Sequence, residues 1–158
     1  MRAKLASQPV WKTRFLFLWH RAQVWLPICG LMMVIFILSA QPKYSPSSAT
    51  TGIYFSGFIP VFPGFWETFI KKGAHVVMYA LLSILSYRSL LREGMPLEQA
   101  PYAAIVIATI FAFTDEWHQI FTFGRSASGI DIGIDFVGAT LAALVMRRVL
   151  TRQQVLAK

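Results

Sequence analysis

Four long apolar segments limit this chain to very few folds. They lie near residues 22–40, 72–91, 100–121 and 129–147, and each approaches the roughly 20 residues of a bilayer-spanning helix. Because lipid offers no partner for backbone N–H and C=O groups, such segments cross a bilayer as helices. Charged residues make up only 14% of the chain, against about 25% in soluble proteins. The sequence therefore predicts an all-α membrane protein, a four-helix transmembrane bundle.

The N-terminal region has more than one interpretation. A basic start, the apolar run LMMVIFILSA and the small pair Ser39-Ala40 are also typical of a secretory signal peptide. Three further apolar segments favour a retained first span. Residues 1–21, which are basic and aromatic, fit either a helix lying on anionic lipid or an extension of that span. We divide the chain into this segment, a transmembrane domain over 22–147 and a basic cytoplasmic tail over 148–158.

The distribution of lysine and arginine predicts the orientation, because cytoplasmic loops are enriched in both. With both termini in the cytoplasm, that side holds eleven of the fifteen basic residues: Arg2, Lys4, Lys12, Arg14, Arg21, Arg88, Arg92, Arg147, Arg148, Arg152 and Lys158. The outer side keeps Lys43, Lys71, Lys72 and Arg125. We therefore expect an even number of spans, with both termini inside and the hairpin between spans three and four outside.

A long outer loop is predicted from residue 41 to residue 70. Its first half is rich in Pro, Gly and Ser and is typical of a flexible connection. Its second half, FIPVFPGFW, is too apolar for free solution and is interrupted by two prolines. We expect this half to lie against the bilayer surface, with Phe62, Phe65 and Trp66 as interfacial anchors.

Several classes of function are disfavoured by composition. The formal net charge of +8 would suit a nucleic-acid partner only on a basic face of a soluble fold, and here the bases flank apolar segments. We therefore predict no nucleic-acid partner. The single cysteine, Cys29, lies in an apolar run and allows neither a disulfide framework nor a thiolate metal site. No Ser-His-Asp order or phosphate-binding glycine loop is recognisable.

The stretch from 113 to 135, FTDEWHQIFTFGRSASGIDIGID, is unusually polar for membrane material. An ionisable group inside a bilayer is costly unless it is paired or reaches water, so this stretch is a candidate site. Helical spacing places three stripes of side chains on facing helices. They are Lys71, His75, Tyr79 and Ser83; Ala104, Ala108, Ala112, Asp115 and Gln119; and Asp131, Asp135, Gly138 and Ala142. Small residues on such stripes let membrane helices approach closely.

The helical rise gives the depth of these polar groups. His75, Asp115 and Asp135 each lie about 5 to 8 Å, or one turn, inside the outer boundary. The sequence therefore predicts a shallow cavity that opens to the extracytoplasmic side, where the phosphate of a lipid headgroup could be met from within the leaflet.

Each candidate also has a structural explanation. Asp131 follows Ser128 at the spacing of a capping box. In that alternative its role is limited to accepting hydrogen bonds from backbone N–H groups at a helix start. Asp135 needs a partner, for which Arg125, Lys71, Lys72 and His75 are candidates. Either Asp115 or Glu116 could instead reach interfacial water. The whole set could be a network that holds the bundle together.

A divalent metal is a weaker alternative for the same carboxylates and imidazoles. The candidate ligands are His75, Asp115, Glu116, His118, Asp131 and Asp135. The spacing D-E-x-H lacks the histidine pair, four residues apart, of helical zinc motifs, so the metal signal is weak.

The chain resembles the VanZ-like family of small bacterial integral membrane proteins over roughly residues 30–147. The resemblance rests on Ser39-Ala-Gln41-Pro, on K-x-x-H-x-x-x-Y at Lys72, His75 and Tyr79, and on D-E-x-H-Q-x-F from Asp115 to Phe121. It continues with Gly124-Arg125-Ser126 and with Asp131 and Gly138. Two departures stand out, because the family usually has proline at the place of Phe123 and asparagine near Asp135.

The resemblance implies a multi-pass protein of the bacterial inner membrane, with some relatives connected to glycopeptide resistance of the teicoplanin type. It implies no established reaction. One hypothesis is a protein that binds an anionic lipid, envelope glycolipid or lipid-linked precursor. The binding set for that hypothesis is Lys72, Tyr79, Gln119, Arg125, Ser126, Asp131 and Asp135. The other is a membrane-embedded hydrolase or transferase that acts on a phosphate-containing lipid, with His75 or His118 as acid or base and Asp115 and Glu116 orienting it or holding a divalent cation.

Overall fold

The structure, a computed structural model, describes residues 10–40 and 65–156. Within these residues the chain forms four α-helices. They are α1 (Val10–Ser39), α2 (Phe65–Arg92), α3 (Ala100–Gln119) and α4 (Gly129–Leu156). The all-α prediction is confirmed over the described part of the chain.

Three of the helices extend beyond the apolar segments that predict them. Residues 10–21 continue the first span in one helix, and α4 continues through most of the basic tail. The assignment of residues 65–70 to the outer loop is wrong, because they form the first turns of α2. Once a helix is nucleated, each added residue gains a backbone hydrogen bond, so a helix readily extends past its apolar part. Phe62, with the rest of 41–64, lies outside the described residues.

Three of the four helices are long and apolar enough to cross a membrane. These stretches are Arg21–Ser39, Lys72–Arg92 and Gly129–Leu156, which makes the chain a multi-pass membrane protein by helix length and hydropathy. Helix α3 does not reach the same hydropathy, because its last turns carry polar groups such as Asp115 and Glu116. A fourth span formed by α3 therefore stays a prediction.

Successive helices run in opposite directions. At one end Arg21, three turns into α1, donates to Glu93 after α2, at 2.9 Å, and Arg147 of α4 pairs with Glu98 before α3. At the other end Ser39, the last residue of α1, meets Asp115 of α3. We call the first end the basic end, because it carries the arginines of α2 and α4, and the second the site end. The start of α1 and the last turns of α4 therefore share the basic end.

Small residues bring the helices close together in the core. The stripe Ala104, Ala108 and Ala112 of α3 is buried throughout. On α4 a Cβ at Gly138 would lie 3.0 Å from both the Cγ1 atom and the backbone oxygen of Val76, so α2 and α4 touch backbone to backbone there. Membrane helices pack by this kind of close contact, because lipid supplies no hydrophobic drive between them. The contact fixes the polar groups of α2 opposite those of α4.

Candidate functional site

The site end gathers polar side chains from all four helices. We define the polar cluster by the residues that the sequence predicts and by two that it does not, Ser39 and Ser128. Its members are Ser39, Lys72, His75, Asp115, Glu116, Gln119, Arg125, Ser128, Asp131 and Asp135. The cluster lies where α1 and α3 end and where α2 and α4 begin.

Asp115 lies at the base of the cluster with only 1% of its surface exposed. The Ser39 hydroxyl lies 2.6 Å from each of its carboxylate oxygens, and the Gln119 amide donates to Oδ2 at 3.2 Å. Both donors are neutral. A buried carboxylate is costly unless hydrogen bonds replace its water, and these two bonds do so while tying α1 to α3.

Glu116 has a structural task that the sequence does not indicate. Its Oε2 atom accepts a 2.7 Å hydrogen bond from the backbone N–H of Ser128, just before α4. In a capping box that N–H would bond to the side chain of Asp131. The other bond of the capping box does form: the Asp131 N–H donates to Ser128 Oγ at 3.4 Å. Glu116 is buried and reaches no interfacial water, so α3 caps the start of α4.

Arg125 lies in the turn between α3 and α4. Gly124 before it has φ of 75°, a left-handed conformation that glycine adopts without strain and that reverses the chain here. The Arg125 Nη1 atom donates to Gln119 Oε1 at 3.0 Å, and Gln119 in turn holds Asp115. Arg125 is therefore linked to Asp115 through the neutral amide of Gln119 and not by direct contact. The remaining guanidinium donors have no partner among the described residues.

Two acid–base pairs join α2 to α4. Lys72 forms an ion pair with Asp131, with both side chains about one-third to two-fifths exposed. One turn deeper, His75 Nδ1 lies 3.9 Å from Asp135 Oδ2, which is beyond hydrogen-bond length and is an ion pair only when the imidazole is protonated. The other oxygen, Asp135 Oδ1, is buried without a hydrogen-bond partner among the described residues. Of the candidate partners for Asp135, His75 is the one that approaches it; the side chain of Lys71 lies outside the described set.

The remaining predicted site residues lie at the edges of the cluster. Tyr79 is fully buried beneath His75, and the two rings stack with centroids 6.3 Å apart. His118 stacks on Phe36 of α1 at 3.9 Å between centroids, which turns it toward the α1 side of the bundle. Its Nδ1 atom is buried and has no hydrogen-bond partner in the described part of the chain. Ser126 is exposed in the turn after Arg125.

The metal alternative gains no support from this geometry. Over residues 10–40 and 65–156, no three His, Cys, Asp or Glu side chains come close enough to share a metal ion. Asp115, Glu116 and Asp131 are each engaged by a hydroxyl, amide, backbone N–H or ammonium donor instead. The carboxylates are thus held in place between the helices, and the side chains of Lys72 and Arg125 are partly exposed at the site end.

Ser39 and Ser128 are the two cluster members that sequence reasoning misses. Ser39 lies at the end of an apolar run and resembles the small residue of a signal-peptide cleavage site. The local sequence therefore does not indicate that its hydroxyl bonds to Asp115. A signal was nonetheless there, since a hydroxyl at the polar end of a span is a ready donor for a buried acid. The capping-box spacing predicts the bond from the Asp131 N–H to Ser128 Oγ, but no side-chain pattern indicates that the Ser128 N–H donates to Glu116.

Comparison with known proteins identifies the family of the chain. The profile of the VanZ/LLP1 family matches residues 24–151. This range is most of the chain and includes the whole polar cluster. No curated protein and no solved structure matches the chain.

Proposed function

Because this chain is a membrane protein that belongs to the VanZ/LLP1 family, we propose that it binds the anionic headgroup of an envelope lipid or glycolipid at the polar cluster. Arg125 and Lys72 bind the phosphate at the site end. Asp115 and Glu116 hold the helices together through their hydrogen bonds to Ser39 and Ser128. The site end faces the extracytoplasmic side of a bacterial inner membrane, and both termini are cytoplasmic.

The observation that carries this proposal is the partner of Arg125. Its contact is the neutral amide of Gln119, so among the described residues no carboxylate bonds to the guanidinium and its other N–H donors have no partner. A guanidinium binds two phosphate oxygens at once through its planar fork. Of the nearby carboxylates, Asp115 and Glu116 are held by neutral donors, and Asp131 pairs with Lys72 and not with Arg125.

The surroundings of the cluster suit a ligand that arrives from within the bilayer. Large apolar side chains at the site end stay exposed, and they are Trp117, Phe121, Phe123 and Ile130. Aromatic residues at this level are typical of membrane interfaces. A headgroup can thus reach Arg125 while its acyl chains remain against these side chains. The link to glycopeptide resistance of the teicoplanin type rests on family membership alone.

The proposal is tested by lipid binding to purified protein in detergent, with dioctanoyl phosphatidylglycerol as the anionic probe and dioctanoyl phosphatidylcholine for comparison. We expect Arg125→Gln to weaken anionic binding at the site end about tenfold or more, because hydrogen bonds to charged groups contribute about 1.5–3 kcal/mol. Arg92→Gln at the basic end removes the same charge and is the matched control. Equal affinities for the two variants would refute a headgroup site at Arg125.

A second function is favoured by the pair His75 and Asp135. A histidine beside a buried carboxylate can act as general acid or base, as a hydrolase or transferase of phosphate-containing lipids requires. Purified protein incubated with undecaprenyl phosphate or undecaprenyl diphosphate tests it. Product formation that is lost in His75→Gln and kept in His118→Gln supports the enzyme, whereas saturable binding without product supports binding alone.

A further inference from the structure

The basic end carries a second group of arginines that the polar cluster does not use. Arg147 of α4 is occupied, since it pairs with Glu98 and also donates to the Tyr102 hydroxyl at 3.5 Å. Arg148 and Arg152 are exposed and have no partner among the described residues. They stand one helical turn apart on the same face of α4, so their guanidinium groups project side by side.

These two arginines border a groove of about 550 Å³ between the start of α3 and the last turns of α4. Its lining consists of Glu98, Leu144, Arg147, Arg148, Thr151 and Arg152. The lining therefore contains three arginines and one apolar side chain, Leu144. The Glu98 carboxylate is turned onto Arg147, which leaves the charge of the other two arginines available to an anion.

The groove lies at the depth of the lipid headgroups in the leaflet opposite the polar cluster. With α4 starting at one membrane boundary near Gly129, about 20 residues at 1.5 Å per residue reach the other boundary close to Arg148. On the same face of α4 and toward the bilayer centre, Leu141, Leu144 and Val145 are exposed apolar side chains. A molecule with an anionic headgroup and apolar chains could pair its charge with the arginines and pack its chains against this apolar face.

We propose that this groove binds the headgroup phosphate of an anionic phospholipid in the leaflet opposite the polar cluster. Arg148 and Arg152 hold the phosphate, while Leu144 and Val145 contact the acyl chains. Tyr102, which accepts a hydrogen bond from Arg147 beside the groove, is a residue favoured at the membrane interface. The proposal does not depend on what the site end binds.

The test counts lipids retained by the purified protein in native mass spectrometry, with dioctanoyl phosphatidylglycerol as the probe. Each basic residue near an anionic headgroup contributes about a fivefold gain in affinity, so the double variant Arg148→Gln with Arg152→Gln should bind roughly thirtyfold more weakly. The matched control, Arg88→Gln with Arg92→Gln, removes the same charge from the same end, at α2, and should bind as the parent does.

Three further outcomes decide the proposal. An equal loss in both double variants would overturn it, because the attraction would then be a general property of the basic end. Displacement of the lipid by inorganic phosphate at millimolar concentration would also overturn it, because the apolar part of the groove would contribute nothing. Loss of one bound lipid in Arg125→Gln and of another in the α4 variant would support two separate sites.

Discussion

The hydrogen bond from Ser39 to Asp115 is the most direct test of how the site end is held together. Ser39→Ala removes the hydroxyl that lies 2.6 Å from both carboxylate oxygens and leaves Gln119, at 3.2 Å, as the remaining donor. Asp115 is only 1% exposed, so water cannot readily replace the lost partner. We expect the free energy of unfolding to fall by about 1.5–3 kcal/mol, the range for hydrogen bonds to charged groups.

This expectation exceeds the usual value for membrane proteins. Interhelical hydrogen bonds between polar side chains there average about 0.6 kcal/mol, because the unfolded chain in lipid also finds partners. A buried carboxylate differs from a neutral side chain, since its charge has few alternative partners in a bilayer. The magnitude therefore distinguishes an Asp115 that depends on Ser39 from one that Gln119 alone satisfies.

Reversible unfolding in mixed micelles with increasing dodecyl sulfate measures the change, followed by tryptophan fluorescence. A double-mutant cycle with Asp115→Asn isolates the coupling between the two side chains, which should exceed about 1 kcal/mol. Cys29→Ser is a suitable control, because Cys29 is exposed on α1 and lies outside the polar cluster. A coupling below about 0.3 kcal/mol would refute the reasoning and leave Ser39 as a packing residue only.

Three other predictions follow from the geometry. Gly138→Ala should lower detergent stability by about 1–3 kcal/mol, because its Cβ would meet Val76, whereas Gly133→Ala, with open space around it, should not; equal melting temperatures would contradict the close contact. Glu98→Gln breaks an exposed ion pair and should cost at most about 1 kcal/mol by the same unfolding assay, so a larger loss would show a buried role. In a Cys29→Ser background, a cysteine replacing Ser126 should react with an impermeant maleimide in intact spheroplasts and one replacing Gln99 should not; the reverse pattern would overturn the proposed orientation.

Periodicity predicts the helices better than their ends. The apolar segments locate all four helices of the described chain, but they miss the additional turns of α1, α2 and α4, where polar and aromatic residues continue the backbone hydrogen bonding. Helix ends depend on local capping and neighbours rather than on burial, so hydropathy carries little information about them. In α4 the cap comes from Glu116 on another helix, which no local pattern contains.

The candidate site was only partly predictable from spacing. Helical periodicity correctly places His75 opposite Asp135, because both lie on faces that the small residues bring together. It does not show that Gln119 separates Arg125 from Asp115, since the conformation of a turn depends on residues such as Gly124.

The polar last turns of α3 have a consequence for the lipid around the protein. Its apolar part runs from Ala100 to Thr114, about 15 residues or 22 Å, against a hydrocarbon core of about 30 Å. A helix that is too short for its bilayer is accommodated by local thinning of the membrane, at a cost of fractions of a kcal/mol per Å of mismatch. If α3 spans the bilayer as the sequence predicts, headgroups beside it are drawn toward Arg125, and the acyl chain length of a lipid then sets how easily its headgroup reaches that residue.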